Sequence, residues 1–218
     1  MTVLREPFGP SEFAAAFASQ PQDIEKLVSY AALLQQWQPI KNLVAPATLG
    51  ELWLRHFADS AQLLQFTTGP THWVDLGSGA GFPGIVIALL SINDSKHRIT
   101  LVESNARKCS FLRATIRDLG LGGCATVINA RIETVVLQPE SPGVERIVTA
   151  RALASLEQLC RWSVSQWTPA TRALFLKGVS VSQELAAAQD VFVFDHVLHG
   201  SRTQPGAEIV ELRGLDWK

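Results

Sequence analysis

What this 218-residue chain has little of narrows its function first. Cysteine occurs three times, as Cys109, Cys124 and Cys160, far apart and with no CxxC pair. That pattern argues against a disulfide framework and against a zinc site, so no metal is expected. An excess of one charge is also missing: the formal net charge is −1. A strongly basic balance marks nucleic-acid binders. Its absence means that any RNA contact has to come from a local patch. The amino-terminal stretch from Met1 to Phe13 lacks the apolar centre of a secretion signal. The longest apolar run, around Ile85 to Leu90, is too short to span a bilayer. These absences predict a cytoplasmic protein that does not engage a membrane. No internal repeat or low-complexity tract is visible.

What is present suits a packed domain. Hydrophobic residues make up 47% of the chain and charged ones 18%. A chain of this length buries roughly 70% of its unfolded surface without a disulfide or metal staple. The first seventy residues read as helical. From Asp23 to Trp37, apolar residues fall at helical spacing at Ile24, Leu27, Val28, Ala31, Leu34 and Trp37, with Pro39 as the stop. A second helix is predicted over Leu49–Phe66. After Pro70, short apolar runs alternate with helical segments. Strands are predicted over His72–Leu76, Arg98–Glu103, Ala125–Ala130, Arg146–Ala150 and Ala173–Leu176. A closing antiparallel pair is predicted over Val191–His199 and Ile209–Arg213. The βαβ rhythm implies an α/β fold, a mostly parallel sheet with helices on both faces. The expected organisation is a helical extension over 1–70 and a Rossmann-like domain over 71–218, together forming one compact unit, and the expected state is a monomer. In such sheets ligands bind beyond the carboxyl ends of the strands.

The run V-D-L-G-S-G-A-G-F-P-G from Val74 to Gly84 follows the first strand and opens a helix. Gly77, Gly79 and Gly81 let the backbone turn sharply and approach a ligand closely. Pro83 fits the first helical turn. Asp75 ends the strand, where a carboxylate can accept from an ammonium group or from the loop's own amides. Spacing alone leaves two ligands open, a dinucleotide and S-adenosylmethionine, besides a tight turn with no ligand. The acid just ahead of the loop repels pyrophosphate and suits a zwitterionic amino acid, which favours the methyl donor. Glu103 ends the second strand, where an acid can accept both ribose hydroxyls of an adenosine. The third strand leads into Arg131-Ile132-Glu133. There Ile132 can pack on an adenine ring and Glu133 can meet its polar edge, or Glu133 can simply serve as an acid in a first helical turn.

The same stretches resemble one family. N-L-V at Asn42–Val44, R-H-F-A-D-S at Arg55–Ser60 and the glycine run at Val74–Gly84 match it. So do E-S-N-A-R-K-C-S-F-L at Glu103–Leu112, R-I-E at Arg131–Glu133, A-R-A-L-A-S at Ala150–Ser155 and L-K-G at Leu176–Gly178. In this order they resemble the bacterial small-subunit ribosomal RNA guanine-N7 methyltransferases, the glucose-inhibited division protein B family. The resemblance implies a class I methyltransferase fold with a seven-stranded sheet and S-adenosylmethionine as donor. It implies methylation at N7 of guanine 527 (the RNA's own numbering) in 16S rRNA, with the small ribosomal subunit as partner. The family's cofactor positions map onto Gly77, Phe82, Ile132, Glu133 and Arg151. Ala150 stands where many relatives carry serine, and the 44–52 stretch matches loosely.

The chemistry implied needs little. Guanine N7 has an exposed lone pair and no proton to lose, so positioning is the main requirement and no general base is expected. Consistent with that, the fourth strand ends in T-A-R-A-L, without the Asn/Asp-Pro-Pro-aromatic signature of exocyclic-amine methylation or a cysteine nucleophile. Arg151 lies where donor and substrate should meet, and is the candidate for positioning them; an ion pair to Asp75 or Glu133 is the scaffold alternative. Arg55 and His56 are candidate RNA contacts or members of a packing network with Asp59. Lys177 is a candidate phosphate contact. Arg107, Lys108, Arg113 and Arg117 share one helix, as a basic patch or a solvated face. The tryptophans, including Trp37, Trp53 and Trp162, read as core. A methyltransferase acting on another RNA site or a small molecule, and a non-catalytic S-adenosylmethionine- or RNA-binding module, remain alternatives.

Overall fold

A computed structural model describes residues 3–41, 43–94 and 96–218. Asn42, the first residue of the N-L-V match, lies outside the described residues, as do Met1 and Thr2 at the head of the chain. The chain opens with α1 (Pro10–Phe17) and α2 (Pro21–Lys41). In α2 the buried stripe is Leu27, Tyr30 and Leu34, while Val28, expected inside, is 48% exposed. A helix presents i, i+3 and i+7 on one line, and Val28 falls a third of a turn away from that line. Pro39 does not stop α2, which runs on to Lys41. The chain turns just afterwards, where the Gln38 side chain takes the backbone amides of Leu43 and Val44 and donates to the Val44 carbonyl.

The second helical stretch is not the single helix expected over Leu49–Phe66. It starts earlier, as a 3₁₀ segment at Pro46–Glu51, and widens into a π-helix at Leu52–Ala58. It narrows through α3 (Asp59–Ala61) into a further 3₁₀ segment at Gln62–Phe66. In the wide part the Asp59 amide donates to the Leu54 and His56 carbonyls and skips that of Arg55. π-bulges of this kind concentrate at functional sites.

Seven strands follow: β1 (Thr71–Leu76), β2 (His97–Glu103), β3 (Ala125–Asn129), β4 (Glu145–Arg151), β5 (Thr171–Lys177), β6 (Phe192–Gly200) and β7 (Glu208–Trp217). They form one sheet in the order β3-β2-β1-β4-β5-β7-β6. β1 to β5 are mutually parallel, and β7 runs antiparallel between β5 and β6. The expected antiparallel closing pair is therefore present, with the last strand inserted inside the sheet. The crossovers contain α4 (Gly84–Leu90), α5 (Ala106–Asp118), α6 (Leu156–Ser163) and α7 (Val181–Val191). Pro83 stands just ahead of α4 rather than in its first turn.

The sheet's inward-facing residues are apolar on both sides, as strands covered on two faces require. One core joins Trp73, Ile99, Leu101, Ile147 and Leu174 to the amino-terminal helices, α4 and α5. The other joins Val74, Val148, Ala173, Phe175 and Val210 to α6 and α7. The amino-terminal region thus packs on the same face as α4 and reaches the carboxyl edge of the sheet. Tyr30 of α2 donates its hydroxyl to the Ala80 carbonyl in the glycine loop, and its ring stacks near Phe57 and Phe82. No helix among the described residues is long and apolar enough to cross a membrane.

Candidate active site

The strand order reverses between β1 and β4, and a cavity of about 920 Å³ opens at that point on the carboxyl edge. Such switch points are where α/β sheets take ligands. Gly77, Gly79, Phe82, Glu103, Ile132, Glu133, Arg151, Arg55, His56 and Lys177 all line it. Asp75 and Gly81 do not.

Each loop glycine has its own reason. Gly77 has φ +63°, and a Cβ there meets Leu153 Cδ1 at 2.5 Å. Gly79 has φ +55°, but its Cβ direction is open, with Gly77 O at 3.7 Å and Lys108 Nζ at 4.0 Å. Gly79 therefore leaves a cradle that a ligand can enter. Gly81 is a packing glycine, since a Cβ on it meets Ile85 and the Tyr30 hydroxyl. Lys108, grouped by sequence with surface basic residues, instead points at the cradle; Arg107, Arg113 and Arg117 stay exposed.

Asp75 sits below the loop rather than facing the cavity. It is fully buried, accepts from the Gly84 amide at 3.2 Å and faces the Thr149 hydroxyl at 3.4 Å. Burial pushes its carboxyl up to about 7. Of the two roles considered from sequence, the loop's own amide takes this acid. Glu103 does reach the cavity. Its Oε2 accepts from the Gly79 amide at 2.9 Å and its Oε1 from the Asn105 amide at 2.8 Å. Each oxygen keeps a second lone pair, so the acid fastens two loops while retaining capacity for hydroxyl donors. Ile132 is buried beside it, and Glu133 is exposed, 3.9 Å from Arg131.

Arg151 is the last residue of β4, and its partners come from the π-helix. Nη1 donates to the Arg55 carbonyl at 2.8 Å and lies 3.3 Å from Asp59 Oδ2; Nη2 meets His56 Nδ1 at 2.6 Å. Its guanidinium also lies 5.0 Å from the Phe82 ring centre. The carbonyl that the Asp59 amide skips is thus the one Arg151 holds. The ion pair is with Asp59, not with Asp75 or Glu133. Burial first, and then the charges of Arg151 and Arg55, push the His56 imidazole down to about 3. The ring is therefore neutral, accepts at Nδ1 and donates at Nε2 to Thr48 Oγ1, 3.0 Å away. Asp59 is fixed in turn by the Thr203 hydroxyl at 2.7 Å and Gln62 Nε2 at 2.9 Å.

Two candidate RNA contacts change character. His56 is 8% exposed and committed to Arg151, so it belongs to the packing network. Lys177 is committed as well: Nζ lies 2.5 Å from Glu184 and 2.7 Å from the Ala154 carbonyl, with the side chain 8% exposed. A buried, paired ammonium is a wall of the cavity rather than a hand extended to phosphate. Arg55 keeps a half-exposed side chain beside Glu51. Burial also pushes the Cys160 thiol up to about 12, far from nucleophilic range. Sequence reasoning passed over Thr48, Thr203, Glu208 and the inward turn of Lys108. Thr203 and Glu208 sit where the resemblance fades, and carry no local pattern. No group of three or more His, Cys, Asp or Glu among the described residues is arranged to hold a metal ion.

Comparison with known proteins gives the setting. A family model described as rRNA small subunit methyltransferase G matches residues 23–208. A protein of Methylorubrum populi named ribosomal RNA small subunit methyltransferase G is 47% identical over 186 residues, covering 85% of this chain and 86% of the relative. One of the same name from Parvibaculum lavamentivorans is 41% identical, covering 93% and 88%. Among solved structures, an O-methyltransferase from Bacillus cereus in complex with SAH superposes with a TM-score of 0.53 at 13% identity, covering 85% and 91%. The B. subtilis m1A22 tRNA methyltransferase TrmK does so at 0.51 and 12%, covering 72% and 65%. At such identities the likeness is one of fold, and that fold is the class I methyltransferase sheet expected from the resemblance.

Proposed function

The chain belongs to the rRNA small subunit methyltransferase G family, and on that premise we propose that it methylates N7 of guanine 527 in 16S rRNA. It does so as a cytoplasmic monomer acting on the small ribosomal subunit. The observation that carries the reading is the family match across residues 23–208, which includes the glycine loop, Glu103 and Arg151 around one cavity.

The residues present fit S-adenosylmethionine, on the observation that Gly79 leaves an open cradle between Lys108 and Glu103. When bound, it supplies an electrophilic methyl group on a sulfonium. Gly77 and Gly79 would let backbone approach its amino-acid end, where Lys108 would offer a cation. Glu103 would accept from the ribose hydroxyls with the lone pairs its two amide bonds leave. Ile132 would pack on the adenine and Glu133 would meet its polar edge, while Phe82, packed on His56 and beside Arg151, would lie toward the meeting point of donor and substrate. Asp75 acts from below by holding the Gly84 amide and with it the loop.

Arg151 acts as a fixed positive group at the meeting point. His56, Asp59 and the Arg55 carbonyl hold its planar guanidinium, so its orientation is set before substrate arrives. The guanine nitrogen attacks with its own lone pair, and no side chain has to remove a proton. The neutral state of His56 agrees with a holding role rather than an acid–base one.

The test uses small subunits from cells lacking this protein. Incubation with purified protein and S-adenosylmethionine should create one N7-methylguanine, mapped by reduction and chain cleavage at position 527. Cleavage elsewhere, or none, refutes the assignment.

A further inference from the structure

The acids of the cavity wall are nearly all spoken for. Glu51 pairs with Arg55, Asp59 with Arg151, and Glu133 lies near Arg131. Glu103 holds two amides, and Glu6 accepts from the Phe8 amide. Glu208 is different. It lines the cavity, yet its side chain has no hydrogen bond or ion pair among the described residues. Its Oε2 is closed off from solvent and still unpartnered. The cation directly across the sheet, Lys177, is already taken by Glu184 and the Ala154 carbonyl. A carboxylate oxygen withdrawn from water without a partner is costly, and a turn of the Glu208 side chain that brings it to donors in the cavity relieves that cost.

Its position in the sheet says which ligand group that is. Glu208 opens β7, and the sheet runs β2-β1-β4-β5-β7. The glycine loop and Glu103 occupy the β1–β2 end and Arg151 ends β4. β4 and β7 are two strand spacings apart, about 10 Å, enough to admit one purine between them. A guanine placed there with N7 toward the donor side turns its opposite edge toward β7. That edge carries two adjacent donors, N1–H and the N2 amine. We propose that Glu208 is the specificity-determining residue for the target base, accepting from this donor pair. This rests on the guanine-N7 reading above.

The pairing has consequences for selection and for rate. A carboxylate matches two neighbouring donors, and charged acceptors form the stronger hydrogen bonds. Adenine turns a bare N1 acceptor to the same place, so two acceptors face each other and the base is rejected. As the methyl group moves, the C–S bond breaks, the C–N7 bond forms and positive charge passes from sulfur to the purine. The N1–H becomes more acidic as that charge grows. Its bond to Glu208 therefore strengthens toward the transition state.

The test is a chemical cycle on reconstituted small subunits carrying guanosine or inosine at position 527. Inosine keeps N1–H and lacks the N2 amine. Wild-type protein should lose about 10- to 100-fold in kcat/KM on inosine, the range of a charge-assisted hydrogen bond. Glu208→Ala should methylate guanosine more slowly by a similar factor and treat the two bases alike, while binding S-adenosylhomocysteine normally by calorimetry. Should the alanine variant fail to fold, Glu208→Gln keeps the shape, replaces one acceptor by a donor, and should lose at least about tenfold on guanosine. Wild-type indifference to inosine overturns the inference without any variant, as does an unchanged inosine penalty in Glu208→Ala or full guanosine activity in Glu208→Gln. Absence of methylation on both RNAs by wild-type protein overturns the guanine-N7 reading itself.

Discussion

Asp75 offers the most quantitative check on how the glycine loop is held. Its carboxyl is fully buried under the loop and raised from 3.8 to about 7. Burial is the leading cause; the Gly84 amide, the Ser78 and Thr149 contacts and the charge of Arg151 offset part of it. A raised carboxyl binds its proton more tightly in the folded chain than in the unfolded one. Its contribution to stability is thus fully present below pH 3.8 and is lost as pH climbs through 7. A shift of about 3 units corresponds to about 4 kcal/mol across that window, at 1.36 kcal/mol per unit. Asp75→Asn keeps an oxygen for the Gly84 amide and removes the titration. Urea midpoints for both proteins should be measured from pH 4 to pH 9. The variant's stability relative to wild type should rise by about 1.4 kcal/mol per pH unit up to neutrality and level off above it. Curves that stay parallel throughout would show that Asp75 is ionised in the folded chain at low pH, and would refute the burial argument.

Further outcomes follow from the other contacts. Arg151→Lys cannot span the Arg55 carbonyl, His56 Nδ1 and Asp59 together, and one buried acceptor left unpaired costs about 1–3 kcal/mol. Calorimetry should show a Tm lower by roughly 2–12 °C. Single-turnover methylation should fall more than about tenfold at every pH from roughly 6 to 9, because no proton transfer is involved; rescue at high pH would contradict this. Gly79→Ala should cost only about 1–2 kcal/mol for its left-handed backbone. Gly77→Ala should cost more because it also strikes Leu153, and Leu153→Ala should restore part of the difference in urea unfolding. Glu103→Gln faces one backbone N–H with its own amide, and S-adenosylhomocysteine affinity should drop by about 1.5–3 kcal/mol in a calorimetric titration. Unchanged affinity removes Glu103 from the cofactor's contacts.

Much of this molecule is written in short stretches of chain. The alternation of apolar runs and helical segments after Pro70 is a local pattern, and it specifies the parallel strands to within a residue or two. The glycines of Val74–Gly84 are legible because a sharp strand-to-helix turn needs φ values that other residues avoid, and +63° and +55° are what Gly77 and Gly79 adopt. Glu103 at the end of β2 follows from the same logic.

What no local pattern contains is the choice of partner among groups far apart in the chain. Arg151 meets Asp59 across 92 positions, through a π-helix whose extra width hands it the Arg55 carbonyl. Helical periodicity over Leu49–Phe66 reports that the segment is helical but not that its hydrogen bonds slip, because the freed Arg55 carbonyl is taken by a residue far away in the chain. Lys177 and His56 look like ligands in sequence because both are polar residues at a strand end or helix face. Only the folded chain brings up Glu184 and Arg151 to claim them. Glu208 is the reverse case: its neighbourhood in sequence is unremarkable, and it acquires meaning when β7 inserts beside β5 and sets an unpaired carboxylate against the cavity. Pairing in three dimensions decides which charged groups are already satisfied, and therefore which are left to act on a ligand.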